Sequence, residues 1–159
     1  MIQRIQSIFL LIVSVAMFAM PFFPLWQINV ESESRNLIIT AFYSLDKVEG
    51  QEAVFTPFPY AIIGFIAILA GMVAVIELFK YKNRLTQIKL GALNALLISA
   101  TLVVSMFLIL GANKPYAPEI YGTYYPAIYF PVVALVFNLL ANRFIRRDEK
   151  LVRSVDRLR

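Results

Sequence analysis

The sequence predicts an all-α transmembrane protein: a four-helix membrane bundle with a small extracytoplasmic β-hairpin in the first loop and a cytoplasmic amphipathic C-terminal helix. Three observations predict it. Of the 159 residues, 60% are apolar and only 16% charged, against roughly half and a quarter in soluble domains. The charges are confined to a few segments separated by long uncharged runs, where a soluble chain would carry a charge every few residues. When the runs are threaded alternately through a bilayer, Lys and Arg gather on one side.

The first run, Ile5 to Trp26, is interrupted only by Gln6, Ser7 and Ser14, and is long enough to cross a ~30 Å hydrocarbon core. Arg4 before it raises the alternative of a cleaved signal peptide. The stretch is too long for an ordinary signal core and lacks an A-x-A-like site at a suitable distance, so a span is expected. Pro21 and Pro24 fall in the last turns, where they kink or end the helix as it leaves the membrane.

The loop over residues 27–58 is acidic, with Glu31, Glu33, Asp46, Glu49 and Glu52 against Arg35 and Lys47. Gln27 to Ser32 and Asn36 to Leu45 are rich in β-branched and aromatic residues, flank the polar Glu33–Arg35 and read as an antiparallel hairpin. Span two, residues 60–79, follows Pro57 and Pro59, and a short basic turn with Lys80, Lys82, Arg84 and Lys89 leads to span three, residues 90–112. So short a turn makes the two spans antiparallel neighbours. A loop with Pro115 and Pro118 precedes span four, residues 124–141. Within that span Pro131 bends the helix unless the helix starts later than drawn. Tyr116, Tyr121, Tyr124, Tyr125 and Tyr129 cluster where an interfacial aromatic belt belongs.

The domain reading is therefore a membrane domain over residues 1–145 and a basic tail over 146–159. In the tail Phe144, Leu151, Val155 and Leu158 recur at helical spacing, and Glu149 precedes Arg153 by one turn. The stripe suits a lipid headgroup layer or a partner. Its candidate contact residues are Arg146, Arg147, Lys150, Leu151, Arg153, Val155, Arg157 and Leu158.

Arg4, the four cations of the basic turn, Arg143 and the six tail cations give twelve cations on one side, against Arg35, Lys47 and Lys114 on the other. That bias predicts a bacterial inner (cytoplasmic) membrane protein with both termini inside and the acidic loop outside. Two inside ends require an even number of spans, which agrees with four.

Cys and His are absent, which excludes disulfides, thiolate and imidazole chemistry, and the commonest zinc, haem and iron-sulfur ligand sets. No nucleophile-base pair or phosphate-cradling glycine loop occurs, so no catalytic, cofactor-binding or metal-binding residue is assigned and an enzyme acting on lipid is disfavoured. Asp148 and Glu149 resemble a catalytic dyad only on paper. Adjacent helical positions diverge, and Arg146, Arg147 and Lys150 surround them, so a solvated charged face is expected.

Glu77 is the one charged residue inside an apolar run. Intramembrane carboxylates often mark ion paths, but three residues before Lys80 the blander reading is a carboxylate that snorkels to the interface and pairs with Lys80 or Arg84. Asn94, Ser99, Thr101 and Ser105 in span three, with Asn138 and Asn142 in span four, call for partners on other helices rather than lipid. Ala67, Gly71 and Ala74, and Gly91, Ala95 and Ser99, put small residues on single faces where helices pack closely. Gly71, Gly91, Asn94, Ala95, Ser99 and Asn138 are thus the candidate helix contacts.

The opening MIQRIQ at Met1–Gln6 and the ending IRRDEKLVRSVDRLR at Ile145–Arg159, with four apolar runs between, resemble a family of small Bacteroidota inner-membrane proteins, the domain of unknown function 4293. The resemblance covers essentially the whole chain and implies four spans, but no activity or ligand. The order of span, long outward loop with strands and three more spans is also similar to the claudin-type layout. That likeness is architectural, since the loop lacks the claudin cysteine pair.

The functional expectation is a non-enzymatic accessory or structural subunit of a larger membrane complex, partnered by membrane lipids and another integral membrane protein. No cofactor and no nucleic acid is expected, because anionic headgroups lie nearer the basic tail than nucleic acid does. Self-association stays open. The alternative is a small-solute or ion transporter working as an oligomer, with Glu77 and the asparagines as its site. Neither an inverted repeat nor paired Gly/Pro interruptions favour it.

Overall fold

The computed structural model describes residues 3–81, 83–116 and 120–156. It contains four long helices, α1 (Gln3–Ala19), α2 (Ala61–Phe79), α3 (Arg84–Asn113) and α4 (Phe130–Asp156), each overlapping a segment long and apolar enough to cross a membrane. They run alternately up and down in a ring: α1 packs on α2 and α4, and α3 packs on the same two. Both ends of the described chain lie at one end of the bundle, where Gln6 of α1 bonds Asp148 of α4.

Helix boundaries follow local chemistry. Pro21 stands in the first turn of a 3-10 segment, Met20–Phe22, that closes α1. Asn83 caps α3 by accepting the Thr86 N–H at 3.1 Å, so α3 starts six residues before the expected span and the basic turn shrinks. A 3-10 turn over Pro126–Tyr129 precedes α4. Pro131 then sits in the first turn of α4, where no N–H is required, the later start that the sequence left open. The expected division at 145/146 leaves no mark on the backbone, because α4 continues through it to Asp156.

The expected hairpin is larger than the sequence indicates. Strands β1 (Trp26–Val30), β2 (Arg35–Ile39), β3 (Ser44–Val48), β4 (Val54–Thr56) and β5 (Thr123–Tyr124) form one antiparallel sheet in the order β4-β3-β2-β1-β5. Residues 36–45, expected as one strand, break at Thr40. The Thr40 hydroxyl donates to the Tyr43 carbonyl at 2.8 Å and makes a turn. β5 comes from the loop after α3 and is held because the Tyr125 N–H donates to the Leu25 carbonyl. A two-residue strand paired from a hundred residues away has no local signal.

The sheet caps the far end of the bundle. Trp26, Ile28 and Val30 alternate inward on β1, as do Leu37 and Ile39 on β2, and they share one core with Met17 and Met20, Ile63, Ile109 and Ala127 of the helical part. The turn between β2 and β3 seats on α2, where Gly64 donates to the Ala41 carbonyl at 2.7 Å and so satisfies a first-turn N–H.

Arg35 joins the sheet across strands. Its guanidinium forks onto the Asp46 carboxylate, with Nε donating to Oδ1 at 2.8 Å, and lies 5.8 Å from the centre of the Tyr116 ring. The hydrogen bond and charge of Arg35 hold the Asp46 carboxyl below the usual carboxylate range, and Asp46 in turn raises Arg35. Because the folded-state value of Asp46 is depressed, the stabilisation is complete above the unfolded value of about 3.9 and drains away as pH falls through the lower folded value. Acid titration below about pH 4 should therefore loosen the sheet by about 1 kcal/mol at most, a partly exposed pair being weak. The fluorescence of Trp26, the single tryptophan, reads that change, and Asp46→Asn should abolish this acid step.

Candidate functional site

The bundle interior is not uniformly apolar. Toward the end that carries Gln6 and Asp148, α2 buries Glu77, α3 buries Gln87 and Asn94, and α4 buries Asn138 and Asn142. On α3 these belong to one buried stripe, Gln87, Gly91, Asn94, Ile98, Thr101 and Ser105, that recurs every three or four residues. Nearer the sheet the stripe is self-sufficient, since Thr101 and Ser105 donate to the carbonyls of Leu97 and Thr101, one turn back.

Several of these groups tie helices together. Gln87 Nε2 donates to the Glu77 carbonyl at 3.0 Å and satisfies a last-turn acceptor of α2. Asn138 Nδ2 donates to the Gly91 carbonyl at 2.9 Å. Gly91 permits that approach because a Cβ there would stand 2.3 Å from the Asn142 carboxamide. Gln6 Nε2 donates to Asp148 Oδ2 at 2.9 Å, and Arg84 Nη1 donates to the Asp148 carbonyl at 3.0 Å. Asp148 is therefore buried where α1, α3 and α4 converge, which corrects the expectation of a solvated Asp148.

Glu77 also departs from expectation. It is 0% exposed, and neither carboxylate oxygen has a hydrogen-bond partner among the described residues. Helical side chains lean toward the helix N-terminus, which for α2 is toward the bundle interior, away from Lys80. Lys80 is exposed and Arg84 is spent on Asp148, so the expected interface ion pair does not form. Both amide atoms of Asn94, and Oδ1 of Asn138 and Asn142, likewise lack partners. A carboxylate and three carboxamides with unmet hydrogen-bonding capacity thus occur on three neighbouring helices. Such groups normally cost free energy, and inside an apolar bundle they are the natural place to look for function. Among the described residues, no three Asp or Glu side chains gather as a metal site.

The family model described as Domain of unknown function (DUF4293) matches residues 2–158. The chain belongs to this family. No curated protein matches it significantly, so membership in DUF4293 brings no activity, ligand or residue role to transfer.

In this DUF4293 chain the remaining candidate positions divide by environment. Gly71 is buried against α1, where an added Cβ would meet the Phe18 ring at 3.0 Å. Ala95 and Ser99 are only half-buried, outside the α3 stripe. Arg146, Arg147, Lys150 and Leu151 are exposed along α4. The side chains of Arg153 and Val155, and Arg157 and Leu158 altogether, lie outside the described residues. Sequence reasoning gave Gln6 and Gln87 no role and placed Asp148 on a solvated face. For Gln87 a signal existed: it lies seven residues before Asn94, on the same helical face.

Proposed function

We propose that this chain is a non-enzymatic four-span protein of the bacterial inner membrane that serves as an accessory or structural subunit of a larger membrane complex. Both termini and the α2–α3 turn lie in the cytoplasm, and the sheet lies outside. The membrane placement rests on the lipid-like outer surface of the bundle, where Phe65 of α2, Leu96 and Phe107 of α3 and Val136 of α4 are all more than half exposed. Soluble proteins do not leave apolar faces of that extent uncovered. The orientation rests on the twelve cations of the terminal side against three of the sheet side.

The observation that carries the accessory role is the folded outer head with an uncovered border. β4 ends the sheet, pairs with β3 alone among the described strands, and exposes Val54, Phe55 and Thr56. A free apolar edge is a template for another chain. Purification in mild detergent should return a partner in fixed stoichiometry, in lower yield from Phe55→Lys. Repeated recovery of the protein alone would count against the role.

A second reading, an oligomeric ion or small-solute transporter, is favoured by the unpartnered Glu77 and Asn94. Glu77→Gln separates the two. For an accessory subunit the variant inserts and folds within about 1 kcal/mol of the parent, because an isosteric amide removes a buried acid without opening a cavity. Loss of a proton- or ion-driven flux in reconstituted vesicles would instead favour transport.

A further inference from the structure

α4 passes from the apolar part of the bundle to its terminal end in one continuous helix, and its outer face changes character on the way. Leu139 is followed at helical spacing by Arg143, Arg146, Arg147 and Lys150, all four cations exposed. Positions 143, 146, 147 and 150 are i, i+3, i+4 and i+7, so they share one face. Opposite them on α3 stand Ala92 and Ala95, whose small side chains leave the space between the helices unfilled. The result is a groove of about 790 Å³, floored by Ala92, Ala95 and Leu139, with Asn142 at mid-length and the four cations walling its other end, and no acidic side chain among the described residues of its lining. From Leu139 to Lys150 it extends about 16 Å along α4.

We propose that this groove binds an anionic phospholipid, with an acyl chain along Ala92, Ala95 and Leu139 and the headgroup phosphate on Arg143, Arg146, Arg147 and Lys150. The inference rests on the membrane placement above and not on the accessory role. Its two ends match the two ends of such a molecule. The apolar end lies at the depth of hydrocarbon and excludes a free anion, while the basic end lies at the cytoplasmic headgroup level, where negative lipid is concentrated. Three of the four cations are arginines, whose planar fork suits phosphate oxygens. A zwitterionic lipid fills the apolar end equally well but leaves the cations uncompensated. The site is therefore selective for net negative charge.

The test uses the full chain in nanodiscs containing equal phosphatidylglycerol and phosphatidylcholine, with lipid retained after release measured by native mass spectrometry. The parent should keep phosphatidylglycerol in preference to phosphatidylcholine, and inorganic phosphate should not displace it. Two variants should each reduce that retention about fivefold or more: A95F, which fills the apolar end with every charge intact, and the combined R143Q/R146Q/R147Q/K150Q. Undiminished retention by A95F would overturn the proposal, because the cations would then hold only a diffuse headgroup layer. Displacement by inorganic phosphate would overturn it in favour of a free-anion site. A photoactivatable phosphatidylglycerol on the unaltered chain gives a readout that needs no variant. Label should fall on the α3 and α4 peptides around Ala92–Ala95 and Leu139–Lys150, and label spread evenly onto α2 around Phe65 and Leu69 would sink the idea. Failure to enter bilayers of either composition would remove the membrane placement and this inference together, whereas entry without lipid selectivity would remove the inference alone.

Discussion

Replacing Trp26 with alanine is expected to destabilise the protein by about 3–5 kcal/mol, the usual cost of emptying a fully buried aromatic site. Trp26 is 1% exposed and is the largest side chain in the core. It pairs with Ile39 of β2 on one side and Tyr124 of β5 on the other, so its ring sits where the first outer loop and the loop after α3 are joined. Gly122 is part of the same contact, since a Cβ there would stand 2.2 Å from the indole ring. Removing the ring leaves a cavity beneath three strands and frees β5, whose described pairing is two residues long. A thermal melt followed by circular dichroism should shift down on the order of 10 °C. A loss below about 1 kcal/mol would mean that the sheet does not close the bundle as described. Gly122→Ala should fail in the same direction by overpacking, at about 1–3 kcal/mol.

The other large effect is expected at Gly91, where α3 packs against the Asn142 side chain of α4. Gly91→Leu should cost about 2–4 kcal/mol, combining overpacking with loss of the interhelical hydrogen bond from Asn138. Gly91→Ala provides a control, because the nearest atoms its Cβ would meet are those of the Asn142 carboxamide, at 2.3 Å. If that clash is the cause, Gly91→Ala combined with Asn142→Ala should be more stable than the sum of the two single changes predicts. The double-mutant cycle reads the coupling directly. Strict additivity would show that Gly91 acts through some other contact.

These two sites differ in how much of them the sequence discloses. Gly91 and Asn138 are legible, because polar and small residues in apolar helices have few roles besides meeting another helix. Trp26 is not. It stands at the end of the first apolar run and reads as the last residue of a span, whereas the chain turns at Pro21 and Pro24 and Trp26 begins a strand. Its partners on β2 and β5 are thirteen and ninety-eight residues away, beyond any local pattern. Glu77 and Asp148 are open to one and the same error, since both read as facing cations and water and both are buried. Each is an acid with cations close in sequence, and whether it meets them depends on which way the helix faces.

Four long apolar helices, their alternating course and the asymmetry of charge follow from the order of residues alone, because length, hydropathy and the count of cations are sums along the chain. The α3–α4 groove, the burial of Glu77, the tie of Asp148 to Gln6 and the five-stranded sheet depend on the rotation of each helix about its axis and on pairings between distant segments. Packing chooses those rotations to fill the interior, and in this chain the filling leaves Glu77 and Asn94 buried without hydrogen-bond partners among the described residues while it turns Arg143, Arg146 and Arg147 of α4 outward.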